Sequence, residues 1–260
     1  MNGTKAIVSG HSRGLGAAIA GELLERGIPV LGLARRGNAA LAAQHGDKLA
    51  EVVIDLADSA ALAAWLAGGA LGDLMADAER VLLVNNAGTL QPMGPLPLQE
   101  VDAVVRAVAV NVAAPLMLAA AFAQAGAAVG KGATGKEAAG KVRDCRVLHI
   151  SSGAARKPYA GWSVYCASKA ALDHHARAVQ VDATPGLRVC ALAPGVVDTE
   201  MQGEIRASTL ERFPLRDRFA EMQASGGLIA PAECAMHLVD FLLDDDFGRE
   251  PVVDLRELTR

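Results

Sequence analysis

The chain has 260 residues, 52% of them hydrophobic and 21% charged, a balance that excludes a disordered or fibrous chain and suits one α/β domain with its own core. Lysine and arginine number 25 against 29 acidic residues, giving a formal charge of −4. No basic stripe of the kind that follows a nucleic-acid backbone is present, so nucleic acid is not an expected partner.

In chain order, short runs rich in β-formers alternate with helical stretches. The strands are expected at Ala6 to Ser9, Val30 to Ala34, Val52 to Ile54, Val81 to Val84, Val147 to Ile150 and Val189 to Leu192. Helices are expected at Leu15 to Arg26, stopped by Gly27, at the alanine-rich Ser59 to Leu66, and at Ser163 to Val181, where apolar residues recur at helical spacing. Strands and helices in alternation with right-handed crossovers predict a doubly wound parallel sheet with helices on both faces. Ala107 to Ala123 is the longest apolar run. Asn111 and Pro115 interrupt it and it falls short of the roughly 20 residues that span a bilayer, so a buried helix and no membrane association are expected.

Gln91 to Pro97, with three prolines, and Gly126 to Gly140, rich in glycine and lysine, read as loops. Thr199 to Gly227 follows a strand and a proline-glycine turn and carries Met201, Phe213 and Phe219. Its expected place is above the carboxyl edge of the sheet, where substrate binds in such folds. Met1 to Thr4 leads directly into the first strand with no signal-peptide pattern, and the expected location is the cytoplasm. Cys145, Cys166, Cys190 and Cys234 form no zinc-like cluster and no disulfide framework. His149, His174, His175 and His237 show no metal-ligand spacing, and no metal is expected.

Two local patterns carry chemistry. After the first strand, Ser9-Gly10-His11-Ser12-Arg13-Gly14-Leu15-Gly16 forms a glycine-rich turn that opens into a helix. Such a turn lets the backbone approach a pyrophosphate while the helix N-terminus offers free N–H donors, although an ordinary strand-to-helix turn can use glycines too. Tyr165 and Lys169 are four residues apart on a predicted helix and project from one face. An ammonium beside a phenol favours the phenolate and lowers its pKa from roughly 10 toward the working pH, which suits proton exchange with a carbonyl. Alone, such a pair describes a surface contact more readily than a catalytic one.

The glycine spacing G-x-x-x-G-x-G, together with Asn85-Asn86-Ala87-Gly88, Tyr165-Cys166-Ala167-Ser168-Lys169 and Pro194-Gly195 followed by Thr199, resembles the short-chain dehydrogenase/reductase family, with Ser9 where the family has threonine. The runs Ser152 to Lys169 and Ala193 to Gln202 are similar to its sepiapterin reductase and benzil reductase-like branch. The resemblance implies a Rossmann-type single domain over residues 1–260 and a catalytic set of Asn111, Ser152, Tyr165 and Lys169. In it Ser152, thirteen residues before Tyr165, holds the carbonyl, and Asn111 bends its helix and holds a water beside Lys169. It also implies a cofactor site of Gly10, Ser12, Arg13, Gly14, Leu15, Gly16, Asp55, Leu56, Asn86, Ala87, Gly88, Pro194, Gly195, Val197 and Thr199, shared with Tyr165 and Lys169, in which Asp55 meets the adenine amino group. Trp162 and Met201 match positions lining the branch's pocket for a flat dicarbonyl or pterin, and Asp254 matches an acid that anchors the pterin or else caps backbone N–H groups. Relatives form homodimers through the helices around Val101 to Phe122 and Ser163 to Val181.

The second strand ends in Leu33-Ala34-Arg35-Arg36, with no acid to accept a ribose 2′-hydroxyl. Arginine forks suit a 2′-phosphate, so NADP(H) is the expected cofactor, bound in part by Arg35 and Arg36. The combined reading is an NADPH-dependent carbonyl reductase acting on a small ketone, diketone or pterin side chain. An NAD-linked alcohol dehydrogenase and a catalytically silent dinucleotide-binding regulator are its rivals. His11, in place of a small residue, is expected to alter the pyrophosphate contacts.

Overall fold

The computed structural model describes residues 3–131 and 144–258. In chain order it contains β1 (Thr4–Ser9), α1 (Gly14–Glu25), β2 (Val30–Ala34), α2 (Ala39–His45), β3 (Leu49–Val53), α3 (Ser59–Ala67), α4 (Ala70–Met75) and β4 (Arg80–Asn85). Next come α5 (Val101–Val108), a π-helical turn at Ala109–Ala113, α6 (Ala114–Lys131), β5 (Asp144–Ile150), α7 (Ser163–Asp182) and β6 (Leu187–Ala193). The last elements are α8 (Glu200–Ala207), α9 (Arg216–Ala224), α10 (Pro231–Leu243), β7 (Val252–Asp254) and α11 (Leu255–Leu258). The seven strands form one parallel sheet in the order β3-β2-β1-β4-β5-β6-β7.

Alternation along each central strand feeds two separate cores, because side chains point to opposite faces with a period of two. Ala6, Val8, Leu82, Val84, Leu148, Ile150, Cys190 and Leu192 pack under Ile19 and Leu23 of α1 and Leu238 and Val239 of α10. Ile7, Val81, Leu83, Val147, Val189 and Ala191 pack under Leu62 of α3, Leu71 of α4, Leu118 and Phe122 of α6 and Ala176 of α7. The strand order reverses between β1 and β4, and a ligand crevice opens at the carboxyl ends beside such a switch.

Several expectations are corrected. The short β7 was not foreseen, since three residues behind Pro251 carry no periodic signal and become a strand only by pairing with β6. Gly126 to Lys131 is helical and continues α6, and the rest of the expected loop to Gly140 lies outside the described residues. Thr199 to Gly227 is no simple loop but carries α8 and α9. The run from Ala107 is not buried all round: Ala114, Leu118 and Phe122 face the sheet, while Val108 is exposed, as are Val101 and Val105 before it. Asn111 and Pro115 do not end it. Asn111 sits in the π-turn and Pro115 in the first turn of α6, where a missing N–H is tolerated, so Val101–Ala128 is by length and composition long enough to cross a bilayer.

One buried ion cluster joins β5 to the end of α10. Arg146 is wholly buried, donates from Nε to Asp144 Oδ2 at 3.0 Å and from Nη1 to the carbonyls of Leu242 at 2.7 Å and Asp244 at 2.6 Å. Arg80 and Arg188 reach the same carboxylate at 2.7 and 2.8 Å. Burial alone would raise the Asp144 carboxyl, but the three guanidiniums pull it down to about 2. Its stabilisation is therefore complete above the ordinary carboxylate range and is lost as pH falls through that range toward 2. Asp144→Asn leaves Arg146 buried without its anion and is expected to cost about 3 kcal/mol or more in urea unfolding at pH 7. The loss relative to the native chain should shrink in the same measurement repeated at pH 2.5.

Candidate active site

A cavity of about 490 Å³ runs along the carboxyl edge of the sheet, from Arg35 and Arg36 at the end of β2 to Trp162 and Phe219 at the other extreme. Its floor is the glycine turn. A Cβ on Gly16 would lie 2.1 Å from the Gly10 carbonyl oxygen and 2.4 Å from Asn86 Nδ2, so the first turn of α1 can sit this close only as glycine. Ser9 joins this turn to the one after β4, its hydroxyl accepting from the N–H groups of Asn86 at 3.0 Å and Ala87 at 3.1 Å. At its N-cap, Arg13, α1 has no side-chain cap, and its first turn carries no acid. Uncapped N–H groups beside a side-chain-free approach fit the diphosphate of a dinucleotide.

The cavity brings together Gly10, Ser12, Arg13, Gly14, Leu15, Gly16, Arg35, Arg36, Asp55, Leu56, Asn86, Ala87, Gly88, Pro194, Gly195, Val197 and Thr199. Arg13 is paired with Glu200 of α8 and so bridges the glycine turn to the cover above it. Asp55 accepts from Ala57 N–H at 3.0 Å and from Arg106 at 2.8 Å; against the opposing effect of burial, these contacts hold its carboxyl below the usual range. Arg106, which also lines the cavity, was not foreseen; it lies 51 residues from Asp55 and belongs to no local pattern. His11 does not line the cavity, contrary to the expected effect on the pyrophosphate: its buried ring turns toward Glu51 on β3.

At the centre, Tyr165 and Lys169 share the inner face of α7 and are both buried, with Lys169 Nζ 5.7 Å from the centre of the phenol ring. Lys169 donates to the carbonyl of Ile150 at 2.7 Å. The expected lowering of the phenol by Lys169 is not what the environment produces. Burial raises the Tyr165 phenol to about 12, with a hydrogen bond from Ser152 acting in the opposite direction, and burial lowers Lys169 to about 8 against the attraction of Asp173. At neutral pH the phenol is thus protonated and the amine charged. Ser152 Oγ also accepts from Ala154 N–H at 3.1 Å, which fixes it at the end of β5.

Asn111 spends its side chain on the protein: Oδ1 accepts from Thr89 N–H at 2.8 Å, and Nδ2 donates to Thr89 O at 2.9 Å and Ser168 Oγ at 3.1 Å. It ties the turn after β4 to α7. Trp162 stacks on Phe213 at 4.5 Å between centres and meets Tyr165 edge-on at 5.4 Å, with Phe219 and Met201 completing an apolar wall. Asp254 does not reach the cavity. It is buried and accepts from Arg256 N, Nε and Nη2 at 3.1, 2.8 and 2.6 Å, bonds that hold its carboxyl low, so the neighbouring side chain that lines the cavity is Arg256. The capping alternative, not the ligand anchor, describes its position. His149 and His175 contact each other at 3.1 Å, and no cluster able to hold a metal exists among the described residues.

Residues 4–210 match the family model for short chain dehydrogenases. The chain is 32% identical to a benzil reductase ((S)-benzoin forming) from Bacillus cereus over 96% of its own length and 98% of that protein's. It is 30% identical to the sepiapterin reductase of Meriones unguiculatus, over 95% of this chain and 94% of that one. A crystal structure of a short-chain dehydrogenase/reductase from Burkholderia vietnamiensis superposes with a TM-score of 0.68 at 49% identity, covering 98% of both chains. With the cradle for a dinucleotide at one end of the cavity and the Ser152, Tyr165 and Lys169 side chains at its centre, the chain belongs to the short-chain dehydrogenase/reductase family of nicotinamide-dependent oxidoreductases.

Proposed function

We propose that the protein is an NADPH-dependent carbonyl reductase whose substrates are flat, conjugated ketones or diketones. The observation that carries the reading is the protonated, buried Tyr165 phenol, bonded to Ser152 and facing an aromatic wall. A phenol still protonated at neutral pH carries the proton that carbonyl reduction consumes, whereas alcohol oxidation needs the phenolate, which favours the reductive direction.

A nicotinamide dinucleotide bound in the cradle would supply the hydride for the carbonyl carbon. The glycine turn and α1 N-terminus would hold its diphosphate, and Arg35 and Arg36, which make no salt bridge among the described residues, would take the 2′-phosphate. Ser152 donates a hydrogen bond to the substrate oxygen and fixes it next to the phenol. Tyr165 passes its proton to that oxygen as negative charge develops there, and the Lys169 ammonium stabilises the phenolate left behind. Trp162, Phe219 and Met201 receive the apolar body of the substrate. Benzil, the diketone in the name of the Bacillus cereus relative, suits this wall. The engagement of Asp254 by Arg256 removes the acid that would otherwise pair with an amino-pyrimidine, which sets pterins behind diketones. The exposed Val101, Val105 and Val108 fit a homodimer through α5 and its neighbours.

Tyr165→Phe is expected to lower kcat for benzil by roughly 10²–10⁴-fold, with the NADPH dissociation constant nearly unchanged in fluorescence titration. Retained turnover in that variant would remove Tyr165 from the chemistry. Because Lys169 loses its charge as pH rises through about 8, the rate of reduction should fall over that range and stay flat between pH 6 and 7, as read from kcat against pH. Arg35→Ala should weaken NADPH binding by about 1.5–3 kcal/mol while leaving NADH binding alone. Equal affinity of the native chain for the two cofactors would overturn the assignment to NADPH.

A further inference from the structure

His11 departs from the small residue expected in the glycine turn, and its surroundings are specific. The side chain is wholly buried and leaves the cavity side of the turn. Its ring lies flat against β2 at Gly32, where a Cβ would stand 2.5 Å from Cγ, Cδ2 and Nδ1. The ring thereby crosses β2 and reaches the next strand, where Glu51 is the register partner of Gly32. Nε2 lies 2.7 Å from Glu51 Oε1, and because an ionised carboxylate only accepts, Nε2 carries the proton.

The contact is one corner of a closed ring. Glu51 Oε1 also accepts the backbone N–H of Asn38 at 2.6 Å, and Asn38 Nδ2 donates back to the carbonyl oxygen of His11 at 3.4 Å. Asn38 Oδ1 accepts from Leu41 N–H at 3.1 Å, so the same residue starts α2. Three and two residues earlier stand Arg35 and Arg36, exposed and facing the cavity. The loop carrying these arginines is therefore pinned at one end by β2 and at the other by Asn38.

We propose that the ring formed by His11, Glu51 and Asn38 is a specificity-determining clamp: it sets the distance between the glycine turn and Arg35 and Arg36, and so determines discrimination between a phosphorylated and an unphosphorylated adenosine ribose. The inference rests on the NADPH reading above. The three are positioning residues, since none of them lines the cavity. Adenine and diphosphate contacts come from other elements, so release of the clamp weakens only the bond to the 2′-phosphate, whose charge-assisted geometry depends on loop position.

Binding of adenosine 2′,5′-bisphosphate and of AMP to the full-length protein, measured by calorimetry, tests this without turnover. The native chain should prefer the bisphosphate, and Glu51→Ala and Asn38→Ala should each reduce that preference by about tenfold or more while AMP affinity changes less than about twofold. Asn38 is only partly buried and Glu51 lies near the sheet edge, so both variants are suited to fold where His11→Ala leaves a hole under the turn. Undiminished preference in both variants would overturn the clamp and leave the NADPH reading standing. A parallel loss of affinity for both ligands would reduce the ring to a structural support. No preference in the native chain would overturn the NADPH reading and the clamp with it.

Discussion

The architecture of the site depends on one close approach, that of the Gly16 backbone to the Gly10 carbonyl and the Asn86 side chain. It brings the N-terminus of α1 down onto the carboxyl edge of the sheet, where β1 and β4 diverge and leave a crevice. Ser9 makes the approach rigid by bonding two consecutive N–H groups of the turn after β4. That turn in turn meets Asn111 through Thr89, and Asn111 meets α7 through Ser168. These hydrogen bonds connect the cofactor cradle, through the turn after β4, to the helix that carries Tyr165 and Lys169, and hold the two halves of the cavity in register.

The electrostatics of the centre follow from its burial. Lys169 stands four residues before Asp173 on α7, and Asp173 is itself buried, bonded to Ser151 and to Arg156 at 3.2 Å. The aspartate keeps Lys169 from losing its charge entirely in this low-dielectric setting and also fixes the residue next to Ser152. One carboxylate thus serves both the charge of Lys169 and the position of Ser151.

How much of this was legible in the sequence depended on how local each feature is. The glycine turn, the Tyr165/Lys169 spacing and the alternating strands are patterns within a few residues, and each predicts backbone shape directly. The doubly wound parallel sheet follows from the alternation of elements and right-handed crossovers, while the strand order itself is read from the folded chain. The direction of His11, the capture of Asp254 by Arg256 and the ion pair of Arg106 with Asp55 depend on which way a side chain turns in the folded chain, and nothing near them in the sequence states it. The phenol is the clearest case. Its neighbour in sequence, Lys169, suggested a lowered pKa, but burial among side chains from separate segments, Trp162, Leu90 and Phe219 with them, raises it against the hydrogen bond from Ser152. β7 was missed for the same reason, since its partner strand lies sixty residues earlier.

The contact of the His11 ring with the bare backbone of Gly32 also constrains how this chain can diverge. Any side chain at position 32 collides with the imidazole, whereas a small residue at position 11 would leave a void that glycine alone cannot fill. Substitutions at the two sites are thus harmful singly in one order and tolerable in the other: position 11 must shrink before position 32 can grow. Lineages of this fold would be expected to cross between the two solutions in that order, and a library that randomises position 32 alone would recover only glycine.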